Sequence, residues 1–161
     1  MNIFVLDRCP VTAARSQCDK HVVKMTLETA QILSSAIWRR GGRGLYRVTH
    51  RNHPCTLWAG DSYSNFQWLC MHGLALADEF TLRNNKQHAS ARVIAASIAL
   101  GDELLRAGEF PDVGPTPHPL CMPDRYKTGC PVQSYRAFYI GEKARFARWK
   151  IDNAPTWWTA T

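Results

Sequence analysis

The chain has 161 residues, 45% of them hydrophobic, and carries a formal net charge of +7. That size and apolar content suit one domain spanning 1–161, large enough to bury a core without disulfide or metal staples. Charged residues interrupt every apolar run before the roughly 18 residues a membrane-spanning helix needs, so no membrane partner is expected.

In chain order, "NIFVLD" (2–7) reads as a short extended segment, closed by "RCP", because Pro10 disfavours helix at the residue before it. Residues 19–39 have helical period. Asp19 suits the positive end of that helix dipole, Arg39 and Arg40 suit the negative end, and Gly41-Gly42 supplies the stop. A second long helix is predicted from about 61 to 83, with Phe66, Leu69, Gly73, Leu76 and Phe80 as its buried stripe. A third is predicted near 88–107, with Ala91, Ile94, Ile98 and Leu105 facing the core and Gly108 ending it. Six of the nine prolines then fall between Pro111 and Pro131. That stretch cannot be helical, and it is long for an idle connection. Pro131 suits the first position of a last helix running to Lys150, whose Tyr135, Phe138, Tyr139, Phe146 and Trp149 are too aromatic to be wholly exposed. The fold expected is mainly α: a compact single-domain helical bundle with a short extended N-terminal segment and a long proline-rich loop.

The positive charge is clustered. No acid stands between Glu28 and Asp61, where Arg39, Arg40, Arg43, Arg47 and Arg51 occur with His50 and His53. Arg125, Lys127, Arg136, Lys143, Arg145, Arg148 and Lys150 form a second group against Asp124 and Glu142 only. Such clusters suit a polyanion, since each neutralised phosphate releases condensed counterions. The first group, on a glycine-loosened loop, is assigned to phosphate; a basic soluble surface is the alternative. Trp157 and Trp158 add aromatic surface of the kind on which bases stack.

At 100° per residue His21, Lys24, Glu28, Gln31 and Ser35 share one narrow face of the first helix, while Val22, Val23, Met25, Leu27, Ile32, Leu33, Ala36 and Ile37 occupy much of the rest. Such a helix is expected to be buried on more than one side. The row is either a solvated stripe, with Lys24 and Glu28 as an ordinary i,i+4 pair, or the wall of a cleft. A cleft reading makes Glu28 the acid or base, His21 a positioning or proton-handling group, and Lys24 an anion contact or a desolvated nucleophile. Cys9, Cys18, Cys55, Cys70, Cys121 and Cys130 read as reduced thiols, and no close Cys/His pairing completes a standard zinc spacing, so no metal is expected. "RGGRG" lacks the spaced Gly-Lys-Ser/Thr of a P-loop; no nucleoside triphosphate or other cofactor is expected.

The stretch "DKHVVKMTLE" resembles the signature of the small phage-type pyrimidine-dimer DNA glycosylases, the endonuclease V type, in which Asp-x-His opens the first helix and the catalytic Glu lies seven residues after the His. That spacing points to Asp19, His21 and Glu28. The closing "PTWW" is similar to the family's aromatic C-terminal motif, whereas 88–107 and the proline-rich loop look like additions. The resemblance implies a mainly helical protein that acts on DNA, double-stranded by expectation, flips out a damaged or modified pyrimidine and breaks its N-glycosidic bond. A monomer or weak dimer is expected, and reduced thiols suit the cytoplasm, that of the host if phage-encoded. Two departures stand out. The chain begins Met-Asn, where members use the amine of a small second residue as a Schiff-base nucleophile, and Leu27 and Gln31 stand where members carry arginines. They argue against lyase chemistry and cyclobutane-dimer specificity. A transferase that elaborates a modified base in phage DNA, and a non-catalytic nucleic-acid-binding protein, are the competing functions.

Overall fold

The computed structural model describes residues 1–159, and no strand occurs among them. Six helices follow in order: α1 Pro10–Arg15, α2 Asp19–Arg39, α3 Pro54–Asp61, α4 Tyr63–Asn84, α5 Ala91–Arg106 and α6 Pro131–Lys143, with a single 3₁₀ turn at Asp124–Tyr126. The mainly α architecture expected from periodicity is therefore present. No helix among the described residues is long and apolar enough to cross a membrane.

Helix α4 lies at the centre, against α1, α2, α3 and α5. Its contact with α2 is close because Gly73 has no side chain. A Cβ there would sit 2.6 Å from Thr29 Cγ2 and 3.2 Å from Ile94, so a methyl group would force α2 and α5 away from α4. The expected stripe on α4 is buried throughout, from Phe66 to Phe80. Helix α2 has the limits expected for it. Its first amide, Asp19 N–H, donates to the Arg148 carbonyl at 2.9 Å. It ends where Gly41 takes φ 81°, a conformation that costs glycine little.

Two expectations change, and two short helices are added. Cys9 is extended, as expected ahead of Pro10, and Pro10 itself begins the added short helix α1, as proline can at a first helical position. The predicted 61–83 helix is α4, starting at Tyr63, and a separate helix α3 that Pro54 opens precedes it; Ser62, with φ −146° and ψ 141°, breaks the chain between the two. The Ser62 hydroxyl is held there by Asp112 and the Gly114 carbonyl at 2.9 and 2.8 Å. The core face of α5 is Val93, Ile94, Ser97 and Gly101, while Ile98 and Leu105 are only half-buried. The last helix stops at Lys143. Beyond it the chain turns so that Ala147 is buried, Phe146 and Trp149 pack on the core, and Arg148 caps α2.

The extended segment passes through the core with Ile3, Phe4, Val5 and Leu6 all buried. The proline-rich stretch is tied down along its length. Trp58 Nε1 donates to the Thr116 carbonyl, Asn65 bonds Thr116 at both its amide nitrogen and oxygen, and Asn2 Nδ2 donates to the Cys121 carbonyl at 2.9 Å.

Candidate active site

Glu28 stands at the middle of α2, 8% exposed, on the wall of a pocket of ≈ 190 Å³ lined by Met1, Asn2, Phe4, His21, Lys24, Met25, Phe138 and Lys143. The Asn2 backbone N–H donates to its Oε2 at 3.0 Å, and the α-amine of Met1 lies 3.8 Å from the same oxygen. Lys24, largely exposed, reaches Oε1 at 3.5 Å. A nearly buried carboxylate thus faces backbone N–H, an ammonium and a lysine, which compensate its lost hydration. The start of the extended segment is threaded past the midpoint of α2, so the group nearest Glu28 is main chain and comes from far away in sequence.

Asp19 stands outside the pocket, whereas His21 helps to line it. Asp19 Oδ1 pairs at 3.1 Å with Arg83 of α4, whose side chain is fully buried and also bonds Glu79 at 2.8 Å and the carbonyls of Gln17 and Arg15. The His21 ring stacks on Phe4, centroids 4.4 Å apart, and its Nδ1 lies 2.8 Å from the Tyr139 hydroxyl. Burial, with Lys143 and Lys24 adding repulsion, pushes its pKa down to about 3, so the imidazole is neutral near pH 7. A neutral, stacked ring orients the pocket wall. Farther along α2, Gln31 is half-buried, and the Ser35 hydroxyl is enclosed with the Thr49 backbone, donating to its carbonyl and accepting its N–H at 3.1 Å. Val23 and Leu27, expected to help bury the helix, are exposed at 44% and 41%. Leu27 therefore sits on the surface directly beside Glu28.

The Ser35–Thr49 contact brings the basic loop over the C-terminal half of the same helix. Arg43, Arg47 and Arg51 are exposed there and make no ion pair among the described residues. Arg39 pairs with Asp61 at 3.0 Å, and Arg40 Nε donates to the Gly60 carbonyl at 2.6 Å while its guanidinium lies over Phe110. Those two arginines fasten α2 to α3. His50 is exposed, with the uncommon φ of 47°, and its ring lies 6.4 Å from that of His53. His53 caps α3, its Nδ1 accepting from Cys55 N–H at 3.2 Å. Burial lowers the His53 pKa, and the N-terminal ammonium lowers it further, while Glu28 opposes both. Trp157 and Trp158 pack edge-on against Tyr139 and each other, half-buried. They are not part of the Glu28 wall.

Lys143, the last residue of α6, completes the pocket and is not legible as a site residue, since a lysine is ordinary at a helix C-terminus. Its Nζ lies 4.4 Å from the Phe138 ring centroid and 6.0 Å from that of Phe4. Burial among those rings lowers its pKa.

Three groups separated in sequence also meet beside the N-terminus. His53, Cys55 and Cys121 bring their ligating atoms within 4.8 Å of one another, the two sulfurs 3.6 Å apart. Their shared hydrogen bond is the main cause that draws the Cys121 pKa down to about 7 and drives that of Cys55 up. Tyr135 packs behind them, its hydroxyl 2.8 Å from Asn2 Oδ1 and 2.7 Å from the Pro119 carbonyl.

Fold and site thus define a small all-helical protein with a recessed carboxylate beside an α-amine and a basic loop on the same helix. A family model described as pyrimidine dimer DNA glycosylase matches residues 1–93, more than half of the chain, and the protein belongs to that family. The matched segment contains Glu28, the basic loop and α1 to α4; Cys121, Lys143 and the closing tryptophans lie outside it. No curated protein and no solved structure matches the chain.

Proposed function

We propose that the protein is a DNA N-glycosylase that flips a damaged or modified pyrimidine out of the duplex and excises it, with Glu28 as the catalytic carboxylate. The observation that carries this reading is the Glu28 carboxylate held in a pocket 3.0 Å from the Asn2 nitrogen and 3.8 Å from the α-amine. Flipping is required because the glycosidic bond of a stacked base is out of reach. As the C1′–N bond breaks, its electron pair leaves with the base, which takes up a proton, and positive charge develops on the sugar. A fixed carboxylate in a partly dry pocket stabilises that charge far better than water does.

Water can then add to C1′ and pass its proton to Glu28. An α-amine this near the carboxylate is also placed to add to C1′. The ammonium would first lose one proton to solvent, the freed lone pair would form the N–C1′ bond, and a second proton would pass by way of Glu28 to the ring oxygen as the C1′–O4′ bond breaks, leaving an iminium. Arg43, Arg47 and Arg51 would grip phosphates flanking the flipped nucleotide. The exposed Leu27, in place of a cation beside Glu28, supports a pyrimidine other than the cyclobutane dimer as the base recognised.

The test is to incubate wild type and Glu28→Gln with duplexes carrying ultraviolet dimers, 5-hydroxymethyluracil or hypermodified thymines, and to identify products by mass spectrometry. Free base released by wild type and not by Glu28→Gln is the expected result. An altered nucleoside retained in the DNA would replace excision with base modification, and DNA bound but unchanged by both proteins would leave a binding module. Borohydride trapping of an adduct at the N-terminal residue would separate capture by the amine from addition of water.

A further inference from the structure

We propose that His53, Cys55 and Cys121 form a zinc site that clasps the proline-rich loop onto the start of α3. His53 and Cys55 flank Pro54 at the N-terminus of α3, and Cys121 arrives from the loop between α5 and α6. Two thiolates at about 2.3 Å from one tetrahedral zinc stand about 3.8 Å apart. The sulfurs here are 3.6 Å apart, and all three ligating atoms lie within 4.8 Å of one another. The thiols are therefore already at the spacing of a tetrahedral edge, and the imidazole needs to close by about an ångström.

A sulfur–imidazole donor set selects a borderline-soft ion such as zinc over magnesium or calcium, which take oxygen ligands. Three protein ligands leave the fourth position for water. Binding releases the two thiol protons, because both sulfurs coordinate as thiolates. It also exchanges one weak bond. If Nδ1 coordinates, its lone pair leaves the Cys55 N–H that it caps at 3.2 Å; if Nε2 coordinates, the ring proton moves to Nδ1 and the cap is lost equally.

The surroundings suit a clasp. Cys55 is fully buried and Cys121 half-buried, and the loop beside Cys121 is already moored by the Asn2 Nδ2 bond to its carbonyl and by the Tyr135 hydroxyl. A metal there adds a bond between chain segments 66 residues apart. Cys121 lies outside the segment that matches the glycosylase family, so the site joins that segment to the remainder of the chain. It stands independently of the chemistry proposed for Glu28.

The experiment uses the full chain, without a polyhistidine tag, purified under reducing conditions and dialysed against metal-free buffer. Elemental mass spectrometry should find about one zinc per chain in wild type and background levels in Cys121→Ser and His53→Gln. Cobalt added to the metal-free wild type should give the visible bands of a tetrahedral ion and a thiolate-to-cobalt charge-transfer band, a readout that needs no variant. Limited proteolysis between residues 111 and 131 should be slower with zinc than without it. Three results would each overturn the proposal: no tetrahedral cobalt spectrum in wild type; zinc retained in full by either variant while circular dichroism shows it folded; or an intact mass short by two hydrogens that reductant restores, which would make Cys55 and Cys121 a disulfide pair.

Discussion

Replacing Arg83 with methionine tests whether the Asp-x-His signature acts through the frame or through the chemistry. The guanidinium is fully buried and fork-bonded to Glu79 at 2.8 and 3.0 Å, with Asp19 at 3.1 Å and two main-chain carbonyls completing its donors. Arg83→Met keeps most of the volume but leaves the Glu79 carboxylate, 8% exposed, with only the exposed Arg15 at 3.8 Å and Asn153 at 3.4 Å, and the Asp19 carboxylate, 18% exposed, without its ion pair. Removing one partner of such a buried network costs about 3–5 kcal/mol. Against a total stability of about 5–15 kcal/mol that is a large share. At about 2–4 °C per kcal/mol for a chain of this size, the melting temperature should fall by roughly 6–20 °C. Urea unfolding followed by circular dichroism at pH 7 measures the loss. Adding Glu79→Gln should restore about 0.5–3 kcal/mol, since it removes the stranded charge. Base release at low temperature, where the variant remains folded, should stay near wild type because neither Arg83 nor Asp19 lines the Glu28 pocket. A loss below about 1 kcal/mol would refute the account of the network. Abolished activity in folded protein would make Asp19 and Arg83 part of the chemistry.

Three further outcomes are expected. Burial holds His21 and His72 at about 3 and His118 at about 4, so between those values and 6.5 the unfolded chain binds more protons than the folded one. Stability is then fully present above about pH 6.5 and falls on acidification by up to about 1.4 kcal/mol per pH unit for each histidine; a urea midpoint unchanged from pH 7 to 5 would contradict this. Replacing Arg43, Arg47 and Arg51 together with Gln should weaken DNA binding whatever the sequence and reduce the slope of log affinity against log salt by up to about 3, measured by fluorescence anisotropy; an unchanged slope would remove the loop from the phosphate contacts. Gly73→Ala should cost about 1–3 kcal/mol in thermal unfolding, and a neutral result would mean that α2 and α4 part without strain.

Local chemistry made much of the frame legible. The limits of α2 follow from Asp19 at one end and Gly41 at the other, and the α4 stripe follows from apolar spacing. Local spacing does not show that Pro10 and Pro54 open the short helices α1 and α3, since proline both ends and begins helices. The last helix is overextended in the sequence because Phe146 and Trp149 keep the aromatic content high past Lys143, although turns that fold back to cap α2 half-bury them. Val23 and Leu27 show the same limit from the other side, since apolar character on a helix does not reveal whether a neighbour exists to cover it.

By itself the sequence determined that the chain is helical, that one face of α2 carries His21, Lys24, Glu28, Gln31 and Ser35, and that an acid-free basic loop follows. These are properties of neighbours within a few residues, where helical geometry sets the distances. Only the tertiary structure decided that Asp19 turns to Arg83, that the Asn2 nitrogen meets Glu28, that Lys143 closes the pocket, that the tryptophans pack against Tyr139, and that Cys121 reaches Cys55. Each of those contacts joins residues far apart along the chain, and their meeting depends on how the helices and loops bury their apolar faces together, which no local spacing encodes.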